Sequence, residues 1–168
     1  IDPAGLTCLD LGASTGGFTD VLLRAGAAHV TCVDVGHGQL HEKIAGDARV
    51  TSHERLNARD LTPGRLAAPP QLIVCDLSFV SLAKVLDVPL SLAAPGAVLI
   101  ALFKPQFEVG PANVGKGGLV TDDAATETAL AAFLVWLNEK GWVPEGPQPS
   151  PVPGGDGNRE WLVCARAQ

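Results

Sequence analysis

Asp76, Lys104 and Glu160 are the residues whose types and positions could move a proton. Lys104 stands in Phe103-Lys104-Pro105-Gln106-Phe107-Glu108, directly after an apolar run. Asp76 closes another apolar run, and Glu160 follows Gly157-Asn158-Arg159 at the head of a third. A lysine at the end of a buried strand is partly desolvated, and desolvation makes an amine a credible base. The alternative is a surface lysine that lays its stem on apolar neighbours and keeps its charge in water. An acid ending the strand expected beside it favours the first reading. If the three side chains converge, they form a charge network able to orient or deprotonate a hydroxyl.

What such a cluster would act with is indicated by Leu9-Asp10-Leu11-Gly12-Ala13-Ser14-Thr15-Gly16-Gly17-Phe18. A strand ends here, a glycine turn follows and a helix opens behind it. That unit binds nucleotide-like cofactors in α/β proteins. Gly12 permits a sharp bend and close approach to a ligand. Gly16 and Gly17 stand at the mouth of the next helix, whose unpaired N–H groups face a ligand. The glycines do not spell G-x-G-x-x-G; they fit D-x-G-x-x-x-G-G, the turn of S-adenosylmethionine (SAM) enzymes. The candidate cofactor contacts in this turn are Asp10, Gly12, Ala13, Ser14, Thr15, Gly16, Gly17 and Phe18. A tight turn with no ligand is the competing reading.

Further acids support a ligand. Asp10, Asp34 and Asp76 each terminate a successive apolar strand. An acid about 20 residues past the glycine turn grips a ribose diol in this architecture, and a carboxylate accepts from two adjacent hydroxyls. Asp34, followed by Val35, occupies that place; taken singly, it is also compatible with a turn acid. Asn57 and Asp60 follow the third strand, where a SAM site offers an acceptor to the adenine amino group. Ordinary helix capping explains them equally well. Asp76 would face both cofactor and substrate.

These residues need a frame. The pattern predicts strands at Leu6–Leu11, His29–Val35, around Val50, Gln71–Asp76 and Val98–Phe103. Two more are predicted at Val143–Gln148 and Glu160–Arg166. Helices are predicted at Gly17–Arg24, Leu40–Ala45, Leu82–Leu92 and Ala124–Lys140. Alternating strands and helices imply a parallel sheet with right-handed crossovers. Only a Pro/Gly-rich turn separates the last two strands, so they form an antiparallel hairpin at one edge. A mostly parallel, seven-stranded α/β sheet of Rossmann-like character, ending in that hairpin, is the class I SAM-dependent methyltransferase plan. Cofactor and substrate would sit at the carboxyl ends of the strands.

Composition narrows the class. At 168 residues and 46% apolar, the chain is one domain with a real core, not a disordered segment. The net charge of −6 argues against a self-sufficient nucleic-acid binder. Cys8, Cys32, Cys75 and Cys164 lie in apolar runs without metal-ligand spacing, so they read as small hydrophobes in a reducing cytoplasm. No metal site is expected from His29, His37, His41 and His53, and Trp136, Trp142 and Trp161 read as packing. Val85–Phe103 approaches membrane-spanning length, but Asp87, Pro89, Pro95 and Gly96 interrupt it. Gly110–Gly117 nearly spells a phosphate-binding G-x-x-x-x-G-K-[ST] loop, but Gly117 replaces the hydroxyl. It reads as a Gly-rich substrate loop, with Lys116 either touching RNA phosphate or simply solvated.

Taken together, Asp10–Asp20, Asp34–Leu40, Asp76–Leu82, Lys104–Glu108, Val114–Gly118 and Gly157–Glu160 resemble the hemolysin-A (TlyA-type) branch of the FtsJ-like RNA methyltransferases. The resemblance covers essentially the whole chain in order, as one domain over residues 1–168. It implies SAM-dependent methylation of ribose 2′-hydroxyls in ribosomal RNA, of cytidines in the small or large subunit. It also implies a Lys-Asp-Lys-Glu catalytic set, of which Asp76, Lys104 and Glu160 match the last three members. The first lysine would lie before Leu6, and nothing there supplies it. The family's small N-terminal RNA-binding domain, the expected source of much of the RNA affinity, is not seen here either. With no methionine and Ile1 at its start, the chain reads as a catalytic domain of a longer protein. Two other classes remain: a membrane-acting haemolysin, and an inactive SAM-binding ribosome-assembly factor.

Overall fold

A computed structural model describes residues 1–168. The apolar runs become strands buried on both faces, as parallel strands between helix layers must be. β1 (Thr7–Leu11), β2 (His29–Val33), β3 (Val50–His53), β4 (Leu72–Cys75) and β5 (Val98–Phe103) pair in parallel. β6 (Trp142–Pro144), β7 (Gln148–Pro149) and β8 (Trp161–Ala167) complete the sheet. The order is β3-β2-β1-β4-β5-β8-β6, with β7 also paired to β8. β8 runs antiparallel to β5, with Phe103 opposite Trp161 and Val98 opposite Arg166.

Each face of the sheet carries its own core. Alternation along β1 sends Leu9 and Leu11 to one side and Cys8 to the other. The larger core joins Ile73, Leu99, Phe103 and Val163 to Leu130, Phe133 and Leu137 of α5 (Asp123–Glu139). The smaller core packs Leu22 and Leu23 of α1 (Gly17–Arg24) on Cys8, Val30, Cys32 and Val74. Cys8, Cys32 and Cys75 are buried and Cys164 is half-buried; burial pushes the Cys8 and Cys32 thiols up to about 11. These thiols fill space and are poor nucleophiles at neutral pH.

The elements depart from expectation where proline and glycine act. The predicted helix over Leu82–Leu92 is instead a single turn at Leu82–Lys84 followed by α3 (Asp87–Ser91). Pro89 is the cause. It sits in the first turn of α3, where its missing N–H is not needed, whereas a helix begun at Leu82 would require that bond. The predicted strand over Val143–Gln148 is split into β6 and β7 by Gly146-Pro147, so the sheet has eight strands rather than seven. α2 (Glu42–Ala45) is shorter than predicted and is capped by His41. α4 (Pro105–Glu108), a single turn behind Lys104, was not predicted. The apolar stretch Val85–Phe103 resolves into α3, a turn at Pro95-Gly96 and β5. No helix is long and apolar enough to cross a membrane.

Candidate active site

A cleft of about 590 Å³ opens at the carboxyl ends of β1, β2 and β4. That is the size of a small-molecule site. Gly12, Ser14, Asp34, Val35, Asn57 and Asp76 line it, with apolar cover from Leu77, Phe79, Val80 and Val85. Gly12 has φ +78°, and a Cβ there would collide with the carbonyl oxygen of Asp76. Its glycine is therefore demanded twice, by the left-handed backbone and by the close passage of the β4 end.

Asp34 is held by the backbone. Its Oδ2 accepts from Ser14 N at 2.8 Å and its Oδ1 from Gly36 N at 2.7 Å. A carboxylate has about four acceptor positions, so each oxygen keeps one for a diol in the cleft. Asn57 also lines the cleft, but its Oδ1 already caps the following turn by accepting from Arg59 N at 3.0 Å. Asn57 thus caps the turn from a position on the cleft wall. Asp60 is exposed and lies outside the cleft lining.

The rest of the glycine turn divides by role. Ala13 is buried and lines a small adjoining hollow with Cys32 and Asp34. Thr15 and Gly17 are exposed, and Thr15 O accepts from His41 N at 3.1 Å. Gly16, at φ +99°, leaves room for Ile44 and Leu40, which an added Cβ would strike. Phe18 packs against the smaller core. Asp10 is wholly buried: Thr19 Oγ1 donates to its Oδ2 at 2.6 Å, while Oδ1 has no partner. Burial pushes the Asp10 carboxyl up to about 6. Thr15, Gly16, Gly17, Phe18 and Asp10 do not line the cleft itself.

Asp76 and Lys104 meet at the edge of this cleft. Lys104, its side chain 13% exposed, brings Nζ to 2.6 Å from Asp76 Oδ1. That approach is off the hydrogen-bonding direction; the aligned bond from Nζ goes to Ser78 Oγ at 3.1 Å. Glu160 joins them through register. Because Phe103 faces Trp161 across the antiparallel β5–β8 pair, the next residues along, Lys104 and Glu160, face each other. Glu160 is 7% exposed. Burial raises its carboxyl pKa, against the pull of Lys104 and with added repulsion from Asp76 and Asp156. The cluster thus sets the Lys104 amine, held at Asp76 and Ser78, opposite the buried Glu160 carboxyl, beside a cleft of cofactor size.

Two residues on this wall were not singled out for a role in the sequence. Ser78 follows Asp76 by two positions and takes the Lys104 bond; a hydroxyl in a loop carries no signal of its own. Phe79 is 90% exposed at φ +64°, a conformation costly for a bulky side chain. Its ring lies 5.1 Å from that of Phe107. Its exposure was not legible, because apolar rings default to burial. Lys116 is exposed on a single 3-10 turn at Lys116–Gly118, and no α-helix starts there as a phosphate-binding loop would require.

The sheet order, the glycine turn and the strand-end cleft define a Rossmann-like methyltransferase domain. Residues 1–167 match the FtsJ-like methyltransferase family, and the chain belongs to that family. It is 48% identical over 165 residues to the 16S/23S rRNA (cytidine-2′-O)-methyltransferase TlyA of Mycobacterium tuberculosis, covering 98% of this chain and 62% of that protein. It is 38% identical over 157 residues to the 23S rRNA (cytidine-2′-O)-methyltransferase TlyA of Campylobacter jejuni, covering 92% of this chain and 60% of that protein. The chain thus spans less than two thirds of these relatives. A Lactococcus lactis crystal structure described as a hemolysin superposes with TM-score 0.96 at 37% identity, over all of this chain and 81% of that one. A SAM-dependent methyltransferase from Listeria monocytogenes shares the fold, with TM-score 0.74 at 15% identity, over all of this chain and 93% of that one. The open acceptors of Asp34, the narrow passage at Gly12 and the size of the cleft fit SAM as the cofactor.

Proposed function

We propose that this chain is the catalytic domain of a SAM-dependent ribosomal RNA 2′-O-methyltransferase acting on cytidine. The observation that carries this is Lys104, held between Asp76 and Ser78 and facing Glu160, at the edge of the cleft that Asp34 and Gly12 line. When bound, SAM supplies a methyl group already activated on a sulfonium. Asp34 would hold the ribose diol, and the backbone at Gly12 and Ser14 would approach the cofactor closely. Lys104 would hold the substrate hydroxyl in line for attack, with Asp76 fixing the ammonium. As the methyl group is taken up by the substrate oxygen, the hydroxyl proton would pass to an unprotonated Glu160 carboxylate facing Lys104 and from there to solvent.

RNA is the substrate class that offers a 2′-hydroxyl. Phe79 supports the same reading: its exposed ring offers a stacking face to an unstacked base beside the reacting group. Lys84, Lys116 and Arg159 are exposed cations without an acidic partner, available to phosphates. The natural partner would then be rRNA or a ribosomal subunit in the cytoplasm, with a further RNA-binding domain contributing affinity.

The test is mass-spectrometric mapping of ribose methylation in rRNA treated with the full-length protein and SAM. New 2′-O-methylcytidine is expected with the parent protein. Lys104→Ala abolishes it while SAM affinity, read by calorimetry, stays within about twofold. Retained methylation in Lys104→Ala would remove the role assigned to that lysine.

A further inference from the structure

The turn that delivers Glu160 is fastened to the Lys116 loop by one buried amide and to the Lys104 segment through Asp156. Asn158 is 2% exposed. Its Oδ1 accepts from Val120 N at 2.9 Å, and its Nδ2 donates to Gly118 O at 2.9 Å. Both partners lie about 40 positions upstream, Gly118 closing the Lys116 turn and Val120 just beyond it. The backbone of Asn158 is engaged as well. Its N–H donates to Asp156 Oδ1 at 3.1 Å, and its carbonyl accepts from Gly154 N at 2.9 Å. Asp156 then reaches the segment behind Lys104, its Oδ2 accepting from Gln106 Nε2 at 3.0 Å. The space inside the turn is filled: a Cβ at Gly154 would lie 2.6 Å from Glu160 Oε1.

We infer that Asn158 is a positioning residue that locks the Lys116 loop and the Glu160 turn into one unit against the Lys104 segment. The inference rests on the methyltransferase reading above. A carboxamide alone suits this place. It presents an acceptor and a donor in one plane, and both target groups are main-chain groups that need partners where they are buried. An aspartate is the same size but has no donor for Gly118 O, and it sets a charged oxygen against that carbonyl. With the clamp open, Glu160 loses the fixed approach to Lys104, and the Lys116 loop no longer moves with it. Misplacement of this kind, away from the reacting atoms, acts on the chemical step and not on cofactor affinity.

The test uses the full-length protein with rRNA and SAM. Asn158→Asp is expected to lower kcat on the order of 10²-fold, to leave the SAM Kd within about twofold, and to shift the acid limb of the pH–rate profile because Glu160 moves. Gln106→Ala removes the outer, half-buried latch and leaves the Asn158 amide bonds in place, and is expected to lower kcat by only a few-fold. Amide exchange at Val120 is read alongside; it is expected to be at least about tenfold faster in Asn158→Asp than in the parent. An unchanged kcat in Asn158→Asp, or SAM affinity falling in step with kcat, would overturn the inference. So would slow exchange at Val120 in that variant. A parent protein that exchanges Val120 slowly yet methylates nothing would refute the methyltransferase reading while leaving the clamp standing. If Asn158→Asp does not fold, the Gln106→Ala result decides, since parent-like kcat there would contradict a coupled unit.

Discussion

Asp10 lies within β1 and Asp34 just past the end of β2, and although the two look alike in sequence their surroundings differ. Asp34 is fixed by two backbone N–H groups and faces the cleft. Asp10 is buried beside Thr19, opposite Cys32 in the β1–β2 register, and has an oxygen with no partner. Burial raises its carboxyl from 3.8 to about 6, so the folded protein prefers it protonated. Between these values the native state binds more protons than the unfolded chain, and stability falls as pH rises from about 4 to above 6. The full penalty, on the order of 2 to 3 kcal/mol, is present at pH 7 and above. Asp10→Asn keeps the acceptor for Thr19 and removes the buried charge. It is expected to raise stability at pH 8 by about that amount and to leave it nearly unchanged at pH 4, as read by urea unfolding at both pH values. A variant equally destabilised at both would show that the carboxylate has an unseen partner. Residue identity told which side chains could titrate. It did not tell how deeply each is buried, because Asp10 lies within its strand and Asp34 just past the end of its own.

At the level of elements, periodicity and punctuation marked α1 and β5 to the residue and the long α5 to within one position at each end. What was not legible was local competition. Pro89 shortened a helix that its apolar pattern favoured, and Gly146-Pro147 cut a strand in two. Prolines act through one missing N–H, which a pattern spread over ten residues hides. The charged cluster was legible because it depends on strand adjacency alone: β5 lies between β4 and β8, so their ends bring Asp76, Lys104 and Glu160 together. The clamp at Asn158 was not, since it links a loop to a turn through bonds that no periodicity encodes. α5 carries much of the larger core through Leu130, Phe133 and Leu137. It starts at Asp122, whose Oδ1 accepts from Ala125 N at 3.0 Å. Asp122→Ala is expected to cost about 1 kcal/mol of stability by denaturant unfolding, with no change in SAM affinity, because the cap lies outside the cleft. A loss of SAM binding larger than the loss of stability would place this end of α5 in the site.

The whole molecule is acidic, with 18 Asp and Glu against 12 Lys and Arg. Several of its cations are already committed: Arg24 to Asp20, Arg49 to Asp47, Lys104 to Asp76 and Lys140 to Asp87. Near the site this leaves Lys84 on the groove below Phe79, Arg59 on the cleft wall, and Lys116 and Arg159 on the two segments that Asn158 joins. On the proposed function, RNA affinity of this domain would be a local matter of three or four cations plus base stacking, set against a repulsive background. Each cation that neutralises a phosphate of a single strand contributes about −0.7 to the slope of log K against log salt. Three or four give a slope of roughly −2 to −3. Binding of a single-stranded rRNA oligonucleotide to this domain, measured by fluorescence anisotropy across salt, is expected to follow that slope. Lys116→Ala is expected to make it shallower by about 0.7. Phe79→Ala is expected to weaken binding by about 1 to 3 kcal/mol at every salt concentration without altering the slope, because stacking releases no counterions. A slope steeper than about −5 would point to a second basic surface engaged by RNA, and an unchanged slope in Lys116→Ala would take that lysine off the phosphate path.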